Sequence, residues 1–316
     1  MEPEKEFEQR KVKRWLIVGT LSLASLLAMG AYSMYSYVGD ARGVEYAAAA
    51  SYDPYASLSL EAKSAYVLDL SMNSVAYEKN ADMQLPLASL TKVPLVLAVS
   101  EVLSVDELVQ VSRGAVERGE GGGLGTGDTW RVGDLIDFTL TASSNAGAEV
   151  LAESADTRLR AIYPDAPIGG AAVWRMNKLA DELGLTETYF LNPSGLDMSE
   201  TQPGAMGSAR EFSVFLAGAL KKLDLFDGTA RTDPYLGPLN GDKKGTENTN
   251  DAIPAIPGLL IGKTGYTDLA GGNLAIVFEP EIGKRYVAVV MGSSYEGRFR
   301  DMEALLEAVR VGSKAR

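Results

Sequence analysis

Histidine and cysteine are both missing from this chain of 316 residues, and together the two absences exclude much of enzyme chemistry. No Ser-His-Asp triad, cysteine nucleophile, H-E-x-x-H zinc site or cysteine zinc site can be assembled from it. A nucleophile must therefore find its base among Lys, Asp, Glu and Tyr. Structural disulfides and a lipidated cysteine anchor are excluded too, which by itself identifies no redox compartment. Positive charge is also short: the formal net charge is -12. No sustained Lys/Arg patch lies beyond the N-terminal tail, so a nucleic acid is not an expected partner. No metal site stands out, and no cofactor is expected.

What is present is an ordinary globular composition, 46% hydrophobic and 23% charged, enough for one large domain or two smaller ones. Trp15 to Val38 carries no charge; as a helix it would be roughly 36 Å long, against about 30 Å of bilayer hydrocarbon. Lys5, Arg10, Lys11, Lys13 and Arg14 precede it, whereas residues 39–58 hold only Arg42, a bias that puts the N-terminus in the cytoplasm. The expected organisation is a cytoplasmic tail over 1–14, a single-pass transmembrane signal-anchor over 15–38, a linker over 39–58 and an extracytoplasmic domain over 59–316. A cleaved signal peptide ending at Ala28-Met29-Gly30 is the alternative, and it leaves the domain on the same side.

Ala65 to Leu70 and Val75 to Glu78 are β-rich runs around Ser71-Met72-Asn73-Ser74, a hairpin signal. Helices are predicted from Ser89 to about Leu103, Asp134 to Glu153, Met176 to Leu183 and Ala209 to Leu223; Pro94 fits the first only near its opening turn. Leu259 to Thr264, Asn273 to Phe278 and Tyr286 to Met291 read as strands, followed by a helix from about Arg300 to Val311. Strands at both ends of a helical middle predict an α+β fold in which the chain ends share one antiparallel sheet. Residues 119–128 are rich in glycine but lack G-x-x-x-x-G-K-[ST], so a flexible surface loop is expected there rather than a phosphate cradle.

The chain's one S-x-x-K is Ser89-Leu90-Thr91-Lys92, whose i, i+3 spacing lets the amine reach the hydroxyl on a helix. About one such match arises by chance in a chain of this length. Its weight comes from Ser143-Ser144-Asn145, an S-x-N, and from Lys263-Thr264-Gly265, the one K-T-G, in the order that serine acyl-enzymes with a lysine base use. Ser71-Met72-Asn73 also fits S-x-N but precedes the nucleophile and is read as a turn.

With these motifs and their flanks the chain resembles the D-alanyl-D-alanine carboxypeptidase family of low-molecular-mass penicillin-binding proteins. Leu87 to Lys92 is similar to the family's P-A-S-x-T-K, with Leu87 in place of Pro; Asn192-Pro193-Ser194-Gly195-Leu196 is similar to its N-P-x-G-L turn, and Lys263 to Gly271 to its K-T-G-x-T-x-x-A-G stretch. The resemblance covers about residues 60–310 and implies a β-lactamase/transpeptidase-like fold. Asn145-Ala146-Gly147 departs from the usual Asn-Asp-Ala, which puts the packing of that helix in doubt. Ser154 to Ala172 looks like an insertion, either a substrate-facing loop or surface decoration.

In this reading Ser89 is the nucleophile and Lys92 its base, Ser143 relays a proton to the leaving amine, and Asn145 orients Lys92 or the substrate amide. An ordinary lysine is neutral in only about one molecule in 2,500 at pH 7, so burial and the second cation, Lys263, must depress the Lys92 pKa. The resemblance implies that the backbone N–H groups of Ser89 and Tyr266 hold the oxyanion. Gly265 and Thr267 lie on the same edge, where a peptide can add as a strand; Lys263 and Thr264 suit a terminal carboxylate, with Arg298 as helper. The expected activity removes the terminal D-Ala from peptidoglycan stem peptides, with β-lactams as covalent inhibitors. A D,D-endopeptidase, a β-lactamase and a non-enzymatic cell-wall peptide binder are the alternatives. For a β-lactamase, Glu187 stands one residue too far from Leu191-Asn192 for E-x-x-L-N.

Overall fold

Five strands from the two ends of the chain make one antiparallel sheet, in a computed structural model that describes residues 53–315. The strands are β1 (Ser64–Asp69), β2 (Ser74–Lys79), β3 (Leu259–Thr267), β4 (Gly271–Glu281) and β5 (Lys284–Ser293), in the spatial order β3-β4-β5-β1-β2. The expected union of the chain ends is thus present, and β3 is an edge. The proposed span 15–38, the tail before it and the linker as far as residue 52 lie outside the described residues. Among the described residues no helix is long and apolar enough to cross a membrane.

The sheet has a core on each face because alternate side chains of a strand point to opposite sides. Val287, Val289 and Met291 of β5 join the larger core with the helical middle, while Ala288 and Val290 face the last helix. Six main helices follow the same economy of apolar faces: α1 (Lys92–Val99), α2 (Val132–Thr141), α3 (Asn145–Ile162), α4 (Ala171–Glu182), α5 (Ala209–Ala219) and α6 (Gly297–Ala315). Met302, Leu305 and Val309 of α6 cover the second face. Tyr55 stacks on Tyr77 of β2 with ring centroids 5.4 Å apart, so residues from Asp53 onward already pack on the domain.

Several element boundaries differ from the sequence expectation for local reasons. The first helix is α-helical only from Lys92 to Val99, with Ala88–Thr91 wound as a 3-10 turn before it; Pro94, third in α1, needs no intrahelical donor there. The single helix expected over 134–153 is two, because Ser143 adopts φ 57° and Ser144 caps α3, its Oγ accepting from Gly147 N at 3.1 Å. The apparent insertion 154–172 is not a loop along most of its length: residues 154–162 complete α3, and Asp156 Oδ1 accepts Ala171 N at 3.2 Å where α4 begins.

The glycine-rich stretch 119–128 is a wound loop closed over the start of α3. Gly122 O accepts from Ser144 Oγ at 2.8 Å, and a Cβ on Gly119 would collide with the Ala146 backbone. That contact answers the doubt raised by Ala146-Gly147. The loop fills the space over Ala146, and Gly147 lies so close to Thr139 that a Cβ there would strike its hydroxyl.

Candidate active site

The nucleophile segment is a tight turn held from two directions. Ala88 sits in the left-handed region at φ 49°, a conformation that costs on the order of 1–3 kcal/mol at a non-glycine residue and persists only where the surroundings enforce it. The enforcement is visible. Leu87 N donates to Ala205 O at 3.0 Å, and Asn273 Nδ2 donates to Leu87 O at 3.1 Å. Behind the turn, Gly195 (φ 78°) approaches so closely that a Cβ would strike the Ala88 carbonyl. Ser89 is thereby presented, partly exposed, at the head of α1.

One helical turn on, Lys92 is fully buried, and its Nζ lies 2.6 Å from Ser89 Oγ, 2.8 Å from Asn145 Oδ1 and 3.0 Å from Ser194 O. Burial pushes its pKa down to about 7, while Glu149 opposes the shift. Two of its three neighbours are carbonyl oxygens and can only accept. In the neutral amine the two N–H bonds go to Asn145 and Ser194, which leaves the lone pair for the Ser89 O–H to donate to. Asn145 Oδ1 thus contacts the Lys92 amine, the hydrogen bond on which the first of the two roles considered for it depends.

Ser143 lies opposite, where the α2–α3 break turns its hydroxyl toward Lys263. Lys263 Nζ donates to Ser143 Oγ at 2.9 Å and to Thr264 O at 2.8 Å. It too is buried, and its pKa falls well below the ordinary lysine value, first through burial and then through the charges of Lys92 and Arg298. Two buried amines this close disfavour a doubly charged state. Thr264 Oγ1 is 2.6 Å from Thr249 Oγ1, so the K-T-G strand is continued sideways by a threonine.

The remaining sequence-chosen residues divide. By antiparallel alternation, Gly265 turns its backbone toward the sheet, and Thr264 and Tyr266 turn theirs outward along the free edge. Arg298 is buried behind that strand, donates from Nη1 to Gly265 O at 3.1 Å and lies 4.2 Å from the centroid of the Tyr295 ring. The Thr267 hydroxyl donates to Asp197 Oδ1 at 3.1 Å and accepts from Ala270 N at 3.2 Å. Both hydrogen bonds shape the β3–β4 turn. Ser71-Met72-Asn73 forms the β1–β2 turn, where Asp69 Oδ1 accepts from Ser71 N at 2.9 Å. Among the described residues no cluster of carboxylates could hold a metal ion.

Sequence reasoning missed four contributors. The Ser194 carbonyl is invisible because any residue has one; the visible signal was Asn192, whose Oδ1 accepts from Gly195 N at 2.7 Å and winds the turn that aims it. Asp197 ties that turn to β3–β4, and Asn273 ties β4 to the nucleophile segment. Thr249 lay in a polar run with no period.

Known proteins are similar to this chain in sequence and fold. The model of the D-alanyl-D-alanine carboxypeptidase family matches residues 48–295. The chain is 31% identical over 247 residues to D-alanyl-D-alanine carboxypeptidase DacF of Bacillus subtilis, covering 75% of this chain and 59% of that one. It therefore spans less than two thirds of that relative's length. To a D-alanyl-D-alanine endopeptidase of Pseudomonas aeruginosa it is 27% identical, covering 73% of this chain and 72% of that protein. The crystal structure of penicillin-binding protein D2 from Listeria monocytogenes in its ampicillin-bound form superposes with a TM-score of 0.66 at 30% identity, covering 79% of this chain and 98% of that one.

Proposed function

The chain belongs to the D-alanyl-D-alanine carboxypeptidase family, and from that premise we propose that it removes the terminal D-Ala of peptidoglycan stem peptides through an acyl-enzyme on Ser89. The observation that carries the reading is the Lys92 amine, buried beside Ser89 with both of its N–H bonds committed to carbonyls.

The peptide enters as an added strand along the edge of β3. Its terminal carboxylate meets the Thr264 hydroxyl and the Lys263 amine, with the Arg298 charge behind the strand. Lys92 takes the Ser89 proton as Oγ attacks the carbonyl, and the backbone N–H groups of Ser89 and Tyr266 hold the oxyanion. Loss of one such donor costs about 10²- to 10³-fold in rate. Lys92 then returns the proton, which Ser143 passes to the departing nitrogen. Water, activated by the same amine, hydrolyses the ester. A β-lactam opened by Ser89 follows the first half of this sequence, and the ampicillin-bound relative supports that expectation.

The rival readings separate on other grounds. A β-lactamase of the E-x-x-L-N type needs a glutamate that activates the deacylating water; Glu187 stands one residue too far from Leu191-Asn192 for that pattern, and its backbone is held away in a turn by Gln84 and Glu211. The uncharged run 15–38 and its basic flank support a reading in which the domain lies outside the cytoplasm and is held to the membrane by those residues.

Incubating the full chain with labelled penicillin is expected to place one acyl adduct on the Ser89 peptide by mass spectrometry. Its absence would reject the acyl-enzyme reading and favour the peptide-binding alternative. With muropeptides as substrate, release of free D-Ala is expected; cleavage of crosslinks without it would make the protein an endopeptidase.

A further inference from the structure

The two buried lysines of the site sit among charges of opposite sign. Lys263 has cations for neighbours, Lys92 and Arg298, whereas the charge that bears on Lys92 is an anion, Glu149. Glu149 follows Asn145 by four residues on α3 and so shares its face. Its side chain is only 13% exposed. Together with Pro193, which precedes the Ser194 carbonyl, it lines a cavity of about 190 Å³. The carboxylate thus stands next to both elements that supply acceptors to the Lys92 amine.

That carboxylate does not act alone. Arg118 Nε donates to Glu149 Oε2 at 2.8 Å, and Arg118 Nη2 donates to Glu153 Oε1. Arg118 ends the short helix Arg113–Arg118, which is tied to α3 at both ends. Ser112, its cap, donates from Oγ to Glu153 Oε2 at 2.7 Å, and Gly119 lies against the Ala146 backbone. The close seat of Gly119 over Ala146 therefore also delivers a guanidinium to α3.

The other charges on elements packed against α1 are engaged with one another. On α4, Arg175 pairs with Glu101 and Glu182, and Lys178 with Asp181. On α5, Arg210 pairs with Glu78 and Asp82, and Glu211 accepts from Thr188 Oγ1 at 2.6 Å. On α2, Asp134 pairs with Lys243, and Asp137 lies near Asp227. Farther along α3, Asp156 pairs with Arg160 and Arg158 with Glu107. Asp197, beyond the Ser194 turn, accepts from Thr267, and β3 brings Lys263.

We propose that Glu149 and Arg118 are positioning residues that set the working pH of the catalytic base: the carboxylate holds a proton on Lys92, and the guanidinium limits that hold by pairing with it. The proposal rests on the hydrolase reading above. A base serves best when it ionises near the operating pH. Burial without a counter-charge would carry Lys92 the way of Lys263, to an amine that is neutral but weakly basic.

The test is the pH profile of acylation of the full chain by labelled penicillin, whose second-order rate constant follows the ionisation of the free enzyme. Glu149→Gln, close to isosteric, should move the midpoint down and Arg118→Met should move it up, each by about 0.5, less than the roughly 1–3 produced by an opposite charge in direct contact. Arg118→Lys keeps a cation and should restore the midpoint. In the Glu149→Gln background, Arg118→Met should leave the midpoint where it is, because its action runs through the carboxylate. A midpoint is unaffected by the fraction of a variant that folds. If either single substitution fails to move it, or Arg118→Met moves it equally with and without Glu149, the proposal is overturned while the acyl adduct still upholds the hydrolase. Absence of any adduct from the unaltered chain at every pH would overturn both.

Discussion

The proton inventory at Lys92 makes its protonation state readable in kinetics. With a pKa of about 7, set by burial, the base form grows as pH rises. The rate of Ser89 acylation should therefore climb through neutral pH and level off above it, since kcat/KM follows the ionisation of the free enzyme. Lys92→Arg replaces the base with a guanidinium that stays charged, and acylation by labelled penicillin is expected to drop 10²- to 10⁴-fold. A flat pH profile between 6 and 8 would remove Lys92 from the role of base. At this scale the sequence was legible, because nucleophile and base must be particular residue types at a fixed spacing. Ser194 was not, since it acts through a backbone carbonyl. The demand on Lys92 was also legible, but its cause was not evenly divided: burial leads, whereas the mutual repulsion of the two lysines weighs on Lys263.

Among elements, turns carry most of the positioning. Ala88 and Ser143 both occupy left-handed backbone, and each is pinned by packing that a periodicity argument does not register. The break between α2 and α3 hid inside an unbroken helical pattern because the signal was one cap, Ser144, whose second hydrogen bond reaches a distant glycine. Gly195→Ala tests the Asn192–Leu196 turn. At φ 78°, with the Ala88 carbonyl in the way of a Cβ, the substitution should displace the nucleophile turn and cut acylation at least tenfold while far-ultraviolet circular dichroism stays close to that of the parent. Retained acylation would mean that the turn does not position Ser89. Asp137 gives a prediction about stability at the same scale. Burial first, then the charge of Asp227, raises its pKa to about 6, above the ordinary 3.8. The native state thus binds more protons than the unfolded chain between about pH 4 and 6, so Asp137 costs stability as pH rises through that window. Asp137→Asn should raise the melting temperature at pH 7 by about 2–4 °C, the effect of roughly 1 kcal/mol in a domain of this size. The gain should vanish near pH 4, and a gain that persisted there would point to a cause other than ionisation.

For the whole molecule, the joining of distant strands follows from two facts legible in the sequence: apolar β-rich runs at either end and helices between them. The order β3-β4-β5-β1-β2 leaves β3 as an edge, which is what strand addition by a substrate requires. The same completeness of the domain from Asp53 onward makes its placement across the membrane a separate question, and the absence of cysteine supplies the means of asking it. Ile282, at the β4–β5 turn, is fully exposed at 101%, so Ile282→Cys introduces the chain's single thiol at a position with no packing to lose. If the domain lies outside the cytoplasm, a membrane-impermeant maleimide added to intact cells should modify this thiol. Gln9→Cys, in the tail read as cytoplasmic, should react only after lysis. Reaction of Ile282→Cys confined to lysed cells would reverse the orientation drawn from the basic flank of residues 15–38, and with it the access of the site to a cell-wall peptide.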